Sequence, residues 1–353
     1  MAKKAQEVII PTEPNIFRTI FLYVGQGDST LLVVPEQQAY KYVLIDSNYD
    51  DSSGGIDLMK LLKDLFYGKE KKLDVYVNTH PHKDHLEKVK EIYEEIGIAQ
   101  LWHSGHKPGG EHKEIYNDLE FVIKNLCEKN VFRLKGSREE NKLDNESVKL
   151  GDVNYNVLAP ADYVSDEIED EKPEDRYKRI HEQCGVIRFK YGKDEKQILI
   201  TGDADYNAWK EHITDYHAER LPSTVLSAAH HGSNSFFWKG SSEEEPYKKH
   251  LEKIKPTYIV VSAPKQKESK HGHPDKEAMD LYKKEVGDDA VFHLGDKRVC
   301  IIVDINADGE IDVYPDDELV KEYGKKSNGD ESGGKIVVIP PPVTRIDKKP
   351  MGI

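Results

Sequence analysis

The stretch VNTHPHKDHLE, residues 77–87, sets His80, His82, Asp84 and His85 within six positions, at the end of the apolar run LDVYVNT (73–79). In an extended segment residues two apart point to one side, so His80 and His82 can share one metal ion. Asp84 and His85 follow on the turn into a helix and can bind a second. Imidazole nitrogen and carboxylate oxygen, with no cysteine close by, suit Zn²⁺, Mn²⁺ or Fe²⁺. The competing reading is a polar loop without metal, and the ligand spacing argues against it.

Outward from that stretch, strands and helices alternate. On the N-terminal side, IFRTIFLYV (16–24) and STLLVV (29–34) read as strands joined by a tight turn at GQGD, and KYVLID (41–46) as a third. GGIDLMKLLKDLFY (54–67) has helical spacing of its apolar residues, with Asp57 near its start. On the C-terminal side, HLEKVKEIYEEIG (85–97) reads as a helix closed by Gly97, and EIYNDLEFVIKNLCEKN (114–130) as another. Strands recur at VNYNVLAP, GVIRFKYG, KQILITGD, STVLSAAH and TYIVVSA, with helices around YNAWKEHI, EPYKKHLEKI and DKEAMDLYKKE. VFHLG, RVCIIVDI and EIDVYP form a closing set of strands. This order predicts an α/β protein with helices covering sheets. Similar mixtures on both sides of the histidine cluster suggest two related halves.

Residues 1–322 read as one domain, with an acidic, apolar-poor insertion at 161–178. From about 323 to 353 the composition turns to Gly, Ser, Lys and Pro, as in a flexible tail. Its apolar piece IVVIPPPV is a candidate docking element for a protein partner. No run of about 18 apolar residues exists, so no membrane span is expected. The first residues lack the apolar core of a secretory signal. Three widely spaced cysteines among 353 residues fit a reducing compartment, and the expected location is cytoplasmic. The net charge of −14, from 51 Lys and Arg against 65 Asp and Glu, argues against strong non-specific binding to a phosphate backbone.

THPHKDH resembles the HxHxDH motif of the metallo-β-lactamase superfamily, and the likeness runs over roughly residues 16–314. YVGQGDSTLLVV and VLIDSN resemble the start of the metallo-β-lactamase domain in ComEC-type competence proteins. ILITGDA resembles that group's late aspartate motif, LSAAHHGSNS its double-histidine motif, and YIVVSAPKQKESKHGHPDKEAM its terminal His-Pro motif. The resemblance implies a four-layer αββα sandwich with a site for two divalent ions at one end. It implies His80 and His82 on one ion, Asp84 and His85 on the other, and Asp203 bridging both. His230 completes the second site, leaving His231 to face a substrate phosphate or stand behind the ligands, and the reverse assignment of this pair is the alternative. His181 falls where the superfamily has its remaining histidine, although HEQC (181–184) departs from the Asn-Asn-x-Ser of the competence proteins. A surface histidine beside the insertion is the other reading of His181. Asp46 is expected to hold a ligand histidine by accepting its second N–H. His273 either faces a substrate phosphate or caps the entry of the next helix.

Two ions bridged by Asp203 and a water would acidify that water to hydroxide near neutral pH. Asp84, His231 and His273 are then the candidates for proton handling and substrate contact. The expected activity is hydrolysis of a phosphodiester, in nucleic acid or a small phosphoester, by a stand-alone phosphodiesterase or nuclease. Hydrolysis of carboxyl esters, lactones or thioesters on the same site is the enzymatic alternative. An interaction module that has lost its chemistry is the non-enzymatic one. DINADGEID (304–312) has the first half of a calcium loop but Pro315 at its twelfth position, so a hairpin turn is expected. His103 and His106 are expected to face solvent.

Overall fold

The computed structural model describes residues 3–325 apart from 38, 50–53, 71, 109–112, 168–171, 173–174, 177–178 and 241–243. In chain order the first strands are β1 (Ile16–Phe21), β2 (Thr30–Glu36), β3 (Ala39–Ile45), β4 (Leu73–Asn78), β5 (Ile98–His103) and β6 (Val131–Arg133). A two-stranded ribbon follows, β7 (Lys142–Leu143) with β8 (Glu146–Ser147). Then come β9 (Asn154–Ala159), β10 (Val186–Tyr191), β11 (Lys196–Ile200), β12 (Val225–Ser227), β13 (Tyr258–Val261) and β14 (Val291–His293). The last two are β15 (Cys300–Asn306) and β16 (Ile311–Asp316).

They form two large sheets. One has the order β16-β15-β1-β2-β3-β4-β5-β6, the other β14-β13-β12-β11-β10-β9. Each sheet is antiparallel at one side, through β16 to β3 and through β9 to β11, and parallel at the other, through β3 to β6 and β11 to β14. The closing set of strands divides. β14 ends the second sheet, whereas β15 returns to pair with β1, so the C-terminal hairpin completes the first.

Three apolar layers give the molecule its order. Phe17, Leu32, Val43, Val75 and Trp102 of the first sheet meet Tyr155, Val157, Phe189, Ile198 and Val260 of the second. The other face of the first sheet, with Leu31, Leu44 and Tyr76, packs on Leu58, Leu61, Leu62 and Leu65 of one helix and Leu119 and Val122 of another. The outer face of the second sheet, with Leu199, Leu226 and Ile259, packs on Trp209, Ile213, Leu251, Ile254 and Tyr282. The result is a four-layer αββα sandwich. Strands buried on both faces read as continuous apolar runs, which is why VVLL-type segments carry so few polar residues.

Local departures from the expected elements matter at the site. β1 and β2 are joined by residues 22–29, a long loop rather than a tight turn. Gly27 in it has φ +125°, and a Cβ there would lie 2.3 Å from the Asp84 carbonyl oxygen. The helix expected over 85–97 is broken into Lys83–Leu86 and Val89–Glu95 by Lys88, whose φ is +66°. The break lets Ser47 N–H reach the His85 carbonyl, at 3.1 Å, which anchors the histidine turn to the sheet. DINADGEID is the β15–β16 hairpin, with Asn306 Oδ1 accepting from the N–H groups of Asp308 and Glu310.

At the C-terminal end, Tyr323 closes the helix Glu318–Tyr323 and is 2% exposed, and its hydroxyl accepts from the Ala5 N–H at 3.0 Å. The tail beyond 325 and part of the acidic insertion lie outside the described residues. Within the insertion, Asp162–Glu167 forms a short helix. No helix among the described residues is long and apolar enough to cross a membrane.

Candidate metal centre

The parallel strands of both sheets end on the same side, and the chemistry-bearing residues follow those ends, where open α/β sheets bind ligands. His80 lies two residues past β4, Asp203 three past β11, and His231 four past β12. Asp46 follows β3 directly, with φ +55°. His181 sits on the turn before β10.

Asp203 is the centre. It is 1% exposed, and its two oxygens face different partners. Oδ2 lies 3.5 Å from Nε2 of His80, 3.8 Å from Nε2 of His181 and 3.6 Å from Nε2 of His230. Oδ1 lies 3.2 Å from Nε2 of His85 and 3.5 Å from Nε2 of His231. Two groups of possible metal ligands share this carboxylate: His80, His82, His181 and Asp203, and Asp28, His85, Asp203 and His231. Asp84 adjoins the second, its Oδ2 3.5 Å from Nε2 of His231.

The histidines are held from behind. Nδ1 of His85 bonds Asp46 Oδ2 at 2.8 Å, and Nδ1–H of His231 donates to the Ser262 carbonyl at 2.9 Å. His80 Nδ1 meets Thr79 Oγ1 at 3.2 Å, and that hydroxyl donates to Asp46 Oδ2 at 2.6 Å. His230 Nδ1 meets Ser235 Oγ at 2.8 Å. In each case the back nitrogen fixes the ring and Nε2 points forward to Asp203, the arrangement that orients imidazoles for a metal.

The backbone is shaped for the same purpose. Gly202 has φ +48°, and a Cβ on it would lie 2.7 Å from Cys184 Sγ and 2.8 Å from Thr79 Oγ1. Asp203 N–H donates to that Cys184 sulfur at 3.2 Å. His230 and His231 both have left-handed backbone, at φ +49° and +56°. That double turn swings the two rings to different oxygens of Asp203. His230, expected in the second group, therefore stands on the side of His181 and His273, and His231 takes the place beside His85. The sequence could not show it, because β12 ends at Ser227, earlier than the pattern suggests.

Burial sets the protonation balance. It pushes His80 and His181 well below the usual imidazole range, with neighbouring histidines adding to the effect. Burial would lower His85 too, but Asp203 and Asp46 outweigh it and raise that ring well above its ordinary value. His231 is likewise opposed by burial and raised to about 9 by Asp203 and Asp28. Burial alone would raise Asp203, yet the surrounding histidines, His85 first, hold it well below the carboxylate range. Asp28 is raised by its burial.

The donor set passes a direct test of fit to metal. Nε2 of His80 and Oδ1 of Asp203, which face the two different groups, are each buried without a hydrogen bond, a costly condition that a cation in each group would relieve. Nitrogen and carboxylate donors of this kind suit Zn²⁺, Mn²⁺ or Fe²⁺.

Other residues fall nearby or elsewhere. The His273 ring lies 5.2 Å from that of His230, on the outer rim, and the His273 backbone N–H donates to Ser269 Oγ at 3.1 Å. His106, expected at the surface, is 1% exposed and bonds Gln183 through Nδ1, and His103 is half-buried. Ser262 and Cys184 carry no sequence signal as site residues, since each acts through a contact made across the fold, whereas Thr79 and Ser235 are chain neighbours of the rings they meet.

No protein-family profile and no curated protein matches the chain. Among solved structures it is similar to Igni18, described as a novel metallo hydrolase from the hyperthermophilic archaeon Ignicoccus hospitalis. That match has 14% identity and a TM-score of 0.46, over 84% of this chain and 98% of the other. A diphosphatase of the PhnP family matches at 15% identity and TM-score 0.38, over 78% and 94% of the two chains. The β-hydroxylase CmlA, as an E377D mutant, matches at 12% identity and TM-score 0.41, over 80% and 52%.

Proposed function

We propose that the chain is a metal-dependent phosphodiesterase holding two divalent ions, with nucleic acid or a small phosphoester as substrate. The observation that carries this reading is Asp203, whose two oxygens each face a separate imidazole group. His80, His82 and His181 with Asp203 would hold one ion. Asp84, His85 and His231 with Asp203 would hold the other, and Asp28 adds a further carboxylate to it. Ions bound there would supply Lewis acidity and water acidified toward neutral pH.

The rest is done by the chain. Asp46 and the Ser262 carbonyl fix the tautomers of His85 and His231, so that each presents Nε2 forward. In the tautomer in which Ser235 O–H donates to Nδ1, His230 would carry its hydrogen on Nε2 and could donate it to an oxygen on which negative charge develops. His273, next to it on the rim, is placed to contact a substrate phosphate oxygen. The buried floor keeps bulk water from the carboxylates and strengthens these interactions.

The test is metal content together with turnover of bis-p-nitrophenyl phosphate, in the wild type and in Asp203→Ala. About two ions per chain and turnover abolished in the variant are expected. Metal without turnover on phosphodiesters would replace this reading with carboxyl-ester, lactone or thioester hydrolysis. A chain without metal would leave only a non-catalytic role.

A further inference from the structure

A second cavity, of about 250 Å³, opens between the ends of β5 and β6 and the helix Lys113–Asn125. One wall carries His103, Lys107 and Arg133, the other Tyr116 and Ile123. The carboxylate in the lining, Glu120, is paired with Lys124 at 3.0 Å. Arg133 is half-buried, and its guanidinium makes no hydrogen bond or ion pair among the described residues. A partly desolvated cation without a carboxylate partner is costly, and five N–H donors in a planar fork fit an oxyanion well.

The loop that borders the cavity is built around this arginine. Gly105 has φ +81°, and a Cβ there would lie 3.1 Å from Arg133 Cδ, so only glycine both adopts the turn and leaves room for the stem. Positive potential gathers here although the chain as a whole carries a net charge of −14. Burial, then Arg133 and Lys107, push His103 down to about 4, and Arg176 and Arg179 act in the same sense on His106. The same loop reaches the metal centre, because His106 is tied to Gln183, two residues from His181.

We propose that this cavity binds the phosphate group of a small organic anion. Arg133 forks the phosphate, His103 and Lys107 add donors, and Tyr116 with Ile123 receives the apolar part. The anion is either a remote group of the substrate held at the metal centre or a separate effector. The site rests on its own geometry, so it stands or falls independently of the proposed hydrolysis.

The test is calorimetric binding of phenyl phosphate and inorganic phosphate to the wild type, Arg133→Met, Arg133→Lys and Asp203→Asn, with melting curves to establish that each is folded. Phenyl phosphate is expected to bind the wild type and Asp203→Asn alike, and Arg133→Met about 10- to 100-fold more weakly. Arg133→Lys should fall between, keeping charge but losing the fork. Inorganic phosphate should bind less tightly than phenyl phosphate, because it leaves the apolar wall unused. Lys107→Met, expected to weaken binding by a smaller factor, serves if Arg133→Met does not fold. A competitive effect of phenyl phosphate on bis-p-nitrophenyl phosphate turnover would identify the substrate source, and an effect on kcat alone the effector. Absence of binding by the wild type, equal binding by Arg133→Met, or binding lost only in Asp203→Asn would overturn the proposal.

Discussion

The two groups of histidines around Asp203 differ in what backs them. On the Oδ1 side, His85 and His231 are almost wholly buried, each is tethered through Nδ1, and Asp28, Asp46 and Asp84 stand close. On the Oδ2 side, Asp203 is the one carboxylate in a group otherwise made of His80, His82 and His181, and the His181 side chain keeps 22% of its exposure. His181 is supported by another ring, its Nε2 lying 3.2 Å from Nδ1 of His82. One side is thus a rigid, charge-rich pocket and the other a more open, nitrogen-rich one. The comparison teaches that one carboxylate can face two groups of unlike surroundings, with the more open group beside His230 and His273.

The sharpest way to break that contrast is to remove the neighbouring histidines one at a time. His231→Ala should lose about one ion per chain and, as a ligand is gone, turnover by on the order of 10³-fold or more. His230→Ala should keep both ions and lose about 10²- to 10³-fold in kcat, the cost of deleting one donor to a developing charge. Elemental analysis beside steady-state kinetics separates the two, and the opposite pattern would restore His230 as the ligand.

Asp46→Asn sharpens the comparison from behind. It should weaken metal binding on the Oδ1 side by about 10- to 100-fold, while the Oδ2 side changes less. Titration with Co²⁺, followed through its d–d absorption, would show one of two binding phases moving. Equal movement of both would mean that the sites are not distinct in their support.

Gly202→Ala should have the smallest effect on chemistry and act on stability. A β-carbon there meets Cys184 and Thr79 at under 3 Å in a left-handed backbone, which costs about 1–3 kcal/mol. A melting temperature equal to that of the wild type would show that the floor beneath Asp203 has room to move.

Much of the centre was legible along the chain. HxHxDH is local: its side chains lie within one strand end and one turn, so spacing alone brings them together. Asp203 was readable only through the resemblance of ILITGDA to a known motif, and the structure places it among the histidines. Which oxygen of Asp203 His230 and His231 each face was not readable, because two left-handed residues in succession set it and neither is glycine. The break at Lys88 escaped for a similar reason, since the apolar spacing continues across it. His103 and His106 looked like solvent-facing loop residues because what buries His106, Gln183, lies 77 positions away.

The sequence by itself determined an α/β order of helices covering sheets and the crowding of His80, His82, Asp84 and His85, since apolar periodicity and residue spacing act over a few residues. Tertiary structure alone decided which oxygen of Asp203 each ring meets, and that β15 returns to the first sheet rather than extending the second. It also decided that Arg133 is left facing a cavity. These depend on contacts between residues far apart in the chain, where burial, tethering hydrogen bonds and backbone handedness, rather than local pattern, set the geometry.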